Sequence, residues 1–242
     1  MIRELIDGVF AHLRAFELIS RYNLWIYVLA PGMLSILLGV VIFGAAFRFA
    51  DDIGAAVISI YPFEAGKGVV ETIIAVIGGI AIVAIGLLVF RHLIMAIASP
   101  FMSFLSEKIE KKLRGSQEAQ FSIKKFFSDL VRGLTIALRN IIRELFYTVL
   151  LLMLSGIIPF LAPLVAVALF LIQAYYAGFG NMDFTLERHF GVRGSVLFVR
   201  KHWGLAIGNG LVFLLLLFTG IGFLFALPLG AIAAATETLK KL

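Results

Sequence analysis

The chain has 242 residues, 61% of them hydrophobic and 15% charged, with no cysteine, a formal charge of +6 and a mean hydropathy of +1.03. A soluble domain of this length fills its core with far fewer apolar residues, so the composition points to an integral membrane protein. Without cysteine there is no disulfide, thiolate metal site or cysteine nucleophile, and the positive charge fits basic cytoplasmic loops without nucleic acid as a partner.

Within residues 1–22, Glu4, Asp7, Arg14 and Glu17 interrupt any apolar core of a cleavable signal. Ile2, Leu5, Ile6, Val9, Leu13 and Phe16 instead share one helical face, which suits a helix lying in the membrane interface or against the bundle. The uncharged stretch 24–47 reads as a first span, 48–71 as a loop, and the uncharged stretch 72–90 as a returning span. "SPFMSFLSEKIEKKLRG" follows, with Ser99 as candidate N-cap, Pro100 at the first helical position and Gly115 as the stop. Phe101, Leu105, Ile109 and Leu113 form its apolar face, and Glu107, Lys108, Lys111 and Lys112 the other. The linker "GSQEAQ" leads to Ser122, a second candidate cap, and apolar residues from Ile123 to Leu145 keep helical spacing.

Residues 145–180 then run without a charge. As one helix they would measure about 54 Å, too long for a hydrocarbon core of about 30 Å. Pro159 and Pro163 divide them, and the pieces 145–158 and 164–180 would measure about 21 and 26 Å. The uncharged stretch 204–236 is divided in the same way at Thr219-Gly220-Ile221-Gly222. Both stretches read as helical hairpins that penetrate part of the bilayer and turn inside protein, where freed backbone groups find partners. Two short full spans per hairpin are the alternative.

Basic residues orient the chain. Lys and Arg number three in 1–22, ten in 91–144, four in 181–203 and two in the C-terminal tail. Residues 48–71 hold only Arg48 and Lys67, against Asp51, Asp52, Glu64 and Glu71. The positive-inside rule therefore puts 48–71 outside and both termini in the cytoplasm.

No catalytic constellation, metal-ligand spacing or cofactor motif emerges. His12, His92, His189 and His202 lie far apart in sequence and read as interfacial or loop residues, and "GIGFLF" at 220–225 lacks the third glycine of a dinucleotide fingerprint. Gly204 with Gly208, and Ala226 with Gly230 and Ala234, read as close helix packing. Glu107 and Glu110 share a helix face that reads as solvated. Arg139, Arg143 and Glu144 stand at the mouth of the first hairpin and Asp183 at its exit. They are either snorkelling anchors or the charges of a polar vestibule.

Six segments, in this order, resemble the CysZ-type sulfate permease family of the etoposide-induced-protein-like superfamily. They are "ISRYNLWIYVLAP", "SPFMSFLSEKIEKKLRG", "IRELF", "IIPFLAP", "MDFTLERH" and "LPLGAIAAAT". The resemblance covers roughly residues 10–236. It implies two long membrane helices with partly penetrating helix pairs, and an oligomeric, channel-like protein without ATP hydrolysis. It also implies sulfate uptake across the bacterial inner membrane for cysteine synthesis, and roles for the charged positions Glu107, Glu110, Arg143, Glu144 and Asp183. Where the family has a Gly-Leu-Arg-Arg-like anion site before the first span, this chain reads Asn23-Leu24-Trp25-Ile26, and Thr185 replaces a proline. An anion there would rest on Arg21 and backbone N–H groups around Asn23 and Leu24.

The expectation is a single all-α membrane domain, 1–242, with two long transmembrane helices, two partly penetrating hairpins and amphipathic cytoplasmic helices. Its partners would be the lipid bilayer, sulfate or a related anion, and copies of itself; no cofactor is expected. The alternative is a membrane scaffold of the same fold that has lost the anion site.

Overall fold

The computed structural model describes residues 1–59, 90–115, 122–219 and 222–242, and every regular element among them is helical. In chain order these are α1 (Ile2–Arg21), α2 (Trp25–Ser59), α3 (residues 90–97), α4 (Ser99–Arg114) and α5 (Ile123–Ile157). A 3₁₀ turn at Pro159–Leu161 leads to α6 (Ala162–Leu186), α7 (Val192–Lys201), α8 (Trp203–Leu217) and α9 (Gly222–Leu239). Most of the expected second span, the outer part of the 48–71 loop, the 116–121 linker and Gly220-Ile221 lie outside the described residues.

Several helix ends follow from backbone chemistry. Gly115 adopts φ 71°, where a side chain is disfavoured, and its N–H closes α4 on the Lys111 carbonyl at 2.8 Å. Ser122 takes the extended conformation of an N-cap before α5. Ser99 does not cap. The chain is already helical at Ala98, whose N–H bonds Ile94 and whose carbonyl accepts from Met102, so α3 turns directly into α4. The Ser99 hydroxyl instead donates to the Asp129 carbonyl of α5 at 3.0 Å. Residues 48–59, expected as loop, continue α2. At 35 residues that helix measures about 52 Å and outlasts the hydrocarbon core by about 20 Å.

The first hairpin turns where expected, at Pro159 with Pro163; α8 ends at Leu217 and α9 begins at Gly222, on either side of the second expected turn, and the Thr219 hydroxyl accepts the Gly222 N–H at 3.1 Å. The charge-free pieces understate the first hairpin, because α5 and α6 carry the same helices past the charged residues. Trp25–Ala45, Ile123–Ile157 and Ala162–Leu186 are each long and apolar enough to cross a membrane, whereas Trp203–Leu217 and Leu224–Leu239 are shorter. Asn181, Asn209 and Gly230 fix a common level: Asn181 Nδ2 donates to Asn209 Oδ1 at 2.8 Å, and Asn209 Nδ2 to the Gly230 carbonyl at 3.0 Å. From it α6 runs about 28 Å to its start, and α8 only about 12 Å to its end.

Amphipathic helices face the reverse of their water-soluble counterparts. In α1 the buried residues are Gly8, Ala11, His12, Ala15 and Ile19, while Ile2, Ile6, Leu13 and Phe16 of the apolar stripe are exposed. In α5 the buried face is Ile136, Ala137, Asn140 and Glu144, with Leu134, Leu138, Ile142 and Leu145 outward. Lipid solvates such stripes as well as a protein core does. Phe90, Ile94, Leu105, Phe213 and Leu227 belong to the main buried core. Glycines bring the backbones together: a Cβ on Gly208 would strike the Leu5 carbonyl, one on Gly204 the Met1 carbonyl, and one on Gly210 the Ala174 carbonyl. The small-residue faces expected around Gly204, Gly208, Ala226, Gly230 and Ala234 are buried in this packing.

Candidate functional site

The turn from α1 to α2 carries the residues expected to hold an anion. Asn23 adopts φ 53°, a left-handed conformation that asparagine tolerates better than most residues. Its N–H is bound by the Ser20 carbonyl at 3.4 Å, and that of Leu24 by the Ile19 carbonyl at 2.9 Å. Both of the donors expected for a backbone grip thus already close the end of α1. The first turn of α2 leaves the N–H groups of Trp25 and Ile26. Leu24 is buried, Trp25 stands edge-on to Phe16 at 5.8 Å, and Ile26 is 71% exposed. Arg21 lies over the Tyr22 ring at 5.8 Å. Helix α4 adds two cations that sequence spacing did not reveal: Lys112 over Tyr22 at 5.5 Å and Lys108 over Tyr27 at 4.8 Å.

A second constellation is buried along α5. Arg132, Ile136, Asn140 and Glu144 recur every four residues and so share one face. Glu144 is completely buried and pairs with Arg91 and with His92 Nε2 at 3.0 Å, both on α3. At the other end Arg132 grips Asp183 of α6 with two bonds, 3.1 and 2.9 Å, and also donates to Ser195 Oγ at 2.9 Å. Between them a cavity of about 20 Å³, touching His92, Asn140, Asp183 and Glu187, has room for one water. Glu107 and Glu110 are not solvated. Glu107 pairs with Lys125, and Glu110 takes Arg188 Nε at 2.9 Å and His189 Nε2 at 3.0 Å. Their face of α4 is covered by α5 and by the end of α6, where Thr185 bonds Ser106 at 2.7 Å. Arg188 also donates to Ser106 Oγ at 2.8 Å and to the Phe184 carbonyl at 2.9 Å. Arg132, Arg188, Arg91, His92 and Glu187 were missed in the sequence. The four-residue polar spacing on α5 was the available signal.

The histidines are correspondingly less peripheral than expected. His12 and His92 are buried, and His12 donates from Nδ1 to the Gly8 carbonyl at 3.2 Å. Burial holds the His12 imidazole down to about 4 despite that bond, so it is neutral at physiological pH. His202 Nδ1 meets Glu4 at 2.6 Å.

Glu187, just past α6, is pushed up to about 8, first by burial and then by the charges of Asp129 and Asp183, against the nearby Ser103 hydroxyl and the charge of Arg188. Folding therefore retains a proton that the unfolded chain releases above its ordinary 4.5. Stability should fall as pH rises from 4.5 towards 8 and level off above that window. Glu187→Gln should flatten this slope in melting temperatures measured across the same range. An unchanged slope would mean that Glu187 is ionised throughout.

Arg139 and Arg143 face elsewhere. With Arg200 of α7 they line an open groove of about 540 Å³ between α5, α6, α7 and α8. Arg139 stacks over Phe179 at 5.2 Å and donates to Asn140 Oδ1 at 2.8 Å. The expected charges thus divide: Glu107, Glu110, Glu144 and Asp183 are in the interior, and Arg139 and Arg143 on the groove.

No curated protein gives a significant match to the chain. The family model described as Sulfate transporter CysZ/Etoposide-induced protein 2.4 matches residues 11–228, which include the α1–α2 turn, the buried charges and the groove. That span covers most of the chain, and the protein therefore belongs to the sulfate transporter CysZ/etoposide-induced protein 2.4 family.

Proposed function

We propose that this membrane protein is a permease for a small oxyanion, sulfate first, in the bacterial inner membrane, with both termini cytoplasmic and with sulfur assimilation into cysteine as its use. The observation that carries this reading is the buried polar line along α5. An apolar chain gains little from burying Arg91, Glu144 and Asp183, with Arg132 half-buried beside Asp183, and ionisable groups at such positions commonly mark a conducting route. From Glu144, beside the start of the charge-free stretch, to Arg132 the line covers about 18 Å and would form the cytoplasmic approach of such a route. Arg132 and Arg188 are the guanidiniums that could exchange a carboxylate for a passing tetrahedral anion, since both already make two-sided, charge-assisted bonds. Asp183 would hold Arg132 and Glu110 would hold Arg188 in place between passages, while Glu144 holds Arg91 and Glu107 holds Lys125. At the α1–α2 turn, Arg21, Lys108 and Lys112 supply positive charge in place of the absent arginine pair, with the N–H groups of Trp25 and Ile26. A homo-oligomer in lipid fits the outward apolar stripes of α1 and α5.

The scaffold reading has one observation in its favour: the N–H groups of Asn23 and Leu24 are already occupied. Radiolabelled sulfate flux into liposomes carrying the purified protein separates the two. Saturable flux above protein-free liposomes, reduced by Arg132→Gln and Asp183→Asn in folded protein, is expected. Absence of flux from correctly folded protein would leave the scaffold.

A further inference from the structure

The groove holding Arg139, Arg143 and Arg200 differs from the buried line in chemistry and position. We infer that it binds an anionic phospholipid, its phosphate headgroup on the three arginines and an acyl chain along α6. Arg143 and Arg200 are exposed, and neither is joined to a carboxylate among the described residues. Three guanidiniums in one groove repel one another unless an anion is present.

The groove lies where the protein meets the edge of the bilayer. Arg143 and Glu144 are the last charges of α5 before the charge-free stretch at 145, and Arg200 with Lys201 the last before the one at 204. Tyr147 and Trp203 stand at this boundary and line the same groove, as amphipathic rings do at a headgroup level. Its other end is apolar. Ala168, Leu171 and Ile172 carry the lining towards the start of α6, where Leu164 and Val167 are exposed. From Tyr176 to Ala168 the lining extends about 12 Å along α6.

A free tetrahedral oxyanion uses only the basic end, and an open groove does not exclude the water that competes for it. A phospholipid matches both ends in the order that the bilayer presents them: phosphate at the interface and hydrocarbon above it. Basic pockets between membrane helices recognise anionic headgroups in this way. Arg139 and Arg143, expected as vestibule charges, would then anchor the first hairpin to lipid instead.

Native mass spectrometry of the detergent-purified full chain, titrated with phosphatidylglycerol or phosphatidylcholine, tests the assignment. The unaltered protein should retain phosphatidylglycerol in preference to phosphatidylcholine. Each arginine near the headgroup is worth about fivefold in affinity, so the Arg143→Gln, Arg200→Gln double variant should lose about thirtyfold for phosphatidylglycerol. Phosphatidylcholine binding should change little. Both side chains are exposed, so the variant should keep its circular dichroism and melting temperature. A second measurement needs no variant: inorganic sulfate and inorganic phosphate are titrated against bound phosphatidylglycerol at constant ionic strength. Retention of the lipid through millimolar sulfate and phosphate supports the assignment. Equal binding of the two lipids, undiminished selectivity in the folded double variant, or displacement by either inorganic anion would overturn it.

Discussion

Glu144→Leu alone should destabilise the protein by about 3–5 kcal/mol, and Arg91→Met added to it should recover most of the loss. Glu144 is fully buried and Arg91 is 3% exposed, so neither charge keeps water as a partner. Removing the carboxylate leaves the guanidinium only neutral partners, the Gln173 carbonyl at a long 3.4 Å and His92 Nε2 at 3.2 Å, and takes from His92 the carboxylate that it meets at 3.0 Å. Replacing both charges with apolar side chains removes the stranded cation as well as its partner, which is why the pair can be exchanged at little cost when one member cannot. Chemical unfolding in detergent, followed by circular dichroism, gives both values and their coupling. The single variant unfolding like the parent would show that water reaches Arg91. The double variant also separates structure from transport. If it folds but no longer carries sulfate, the pair belongs to the route; if it carries sulfate normally, the pair holds α3 to α5 and nothing more.

The parts of this fold that were legible in the sequence are those where a residue acts on its own backbone. Pro159 and Pro163 break the first hairpin because proline lacks an N–H, and Gly115 ends α4 because only glycine is unstrained at φ 71°. The inward faces of α1 and α5, and the charged half of that of α4, were not legible by the same rules. In water an apolar stripe marks the side that packs; in lipid it is satisfied on either side, and small or polar residues mark the packing side instead. On α4 the apolar face divides, Leu105 and Ile109 being buried and Phe101 and Leu113 exposed, while Glu107 and Glu110 from the supposedly solvated side are buried. Partners far apart in sequence are harder still. Glu110 and Arg188 are 78 residues apart, and only the closure of α6 onto α4 brings them together. The engagement of the Asn23 and Leu24 donors was not legible for a local reason: two carbonyls at the end of α1 take them first, a detail set by the left-handed turn at Asn23.

Gly210→Val should cost at least the upper end of the range for overpacked cores, about 3 kcal/mol. A Cβ at Gly210 falls on the Ala174 carbonyl, and one at Gly178 on the Ala206 carbonyl, so α6 and α8 meet backbone to backbone along antiparallel axes. Backbone cannot yield as a side-chain end can, and the helices must separate along their length. In a soluble protein the hydrophobic effect would oppose that separation. In lipid the association rests on close packing and on hydrogen bonds, and a wedge removes both. The Asn181–Asn209 bond, one turn from Gly178 and next to Gly210, should stretch with it, leaving the Asn181 amide buried without that partner and Asn209 with only its bond to the Gly230 carbonyl. Gly156→Val is the comparison, because nothing lies within 4 Å of a Cβ there and the site faces outward near the end of α5. Valine at 156 should leave the melting temperature close to that of the parent, while valine at 210 lowers it steeply and reduces the yield of folded protein. Equal melting of the two variants in detergent would mean that α6 and α8 stand further apart than the carbonyls of Ala174 and Ala206 require.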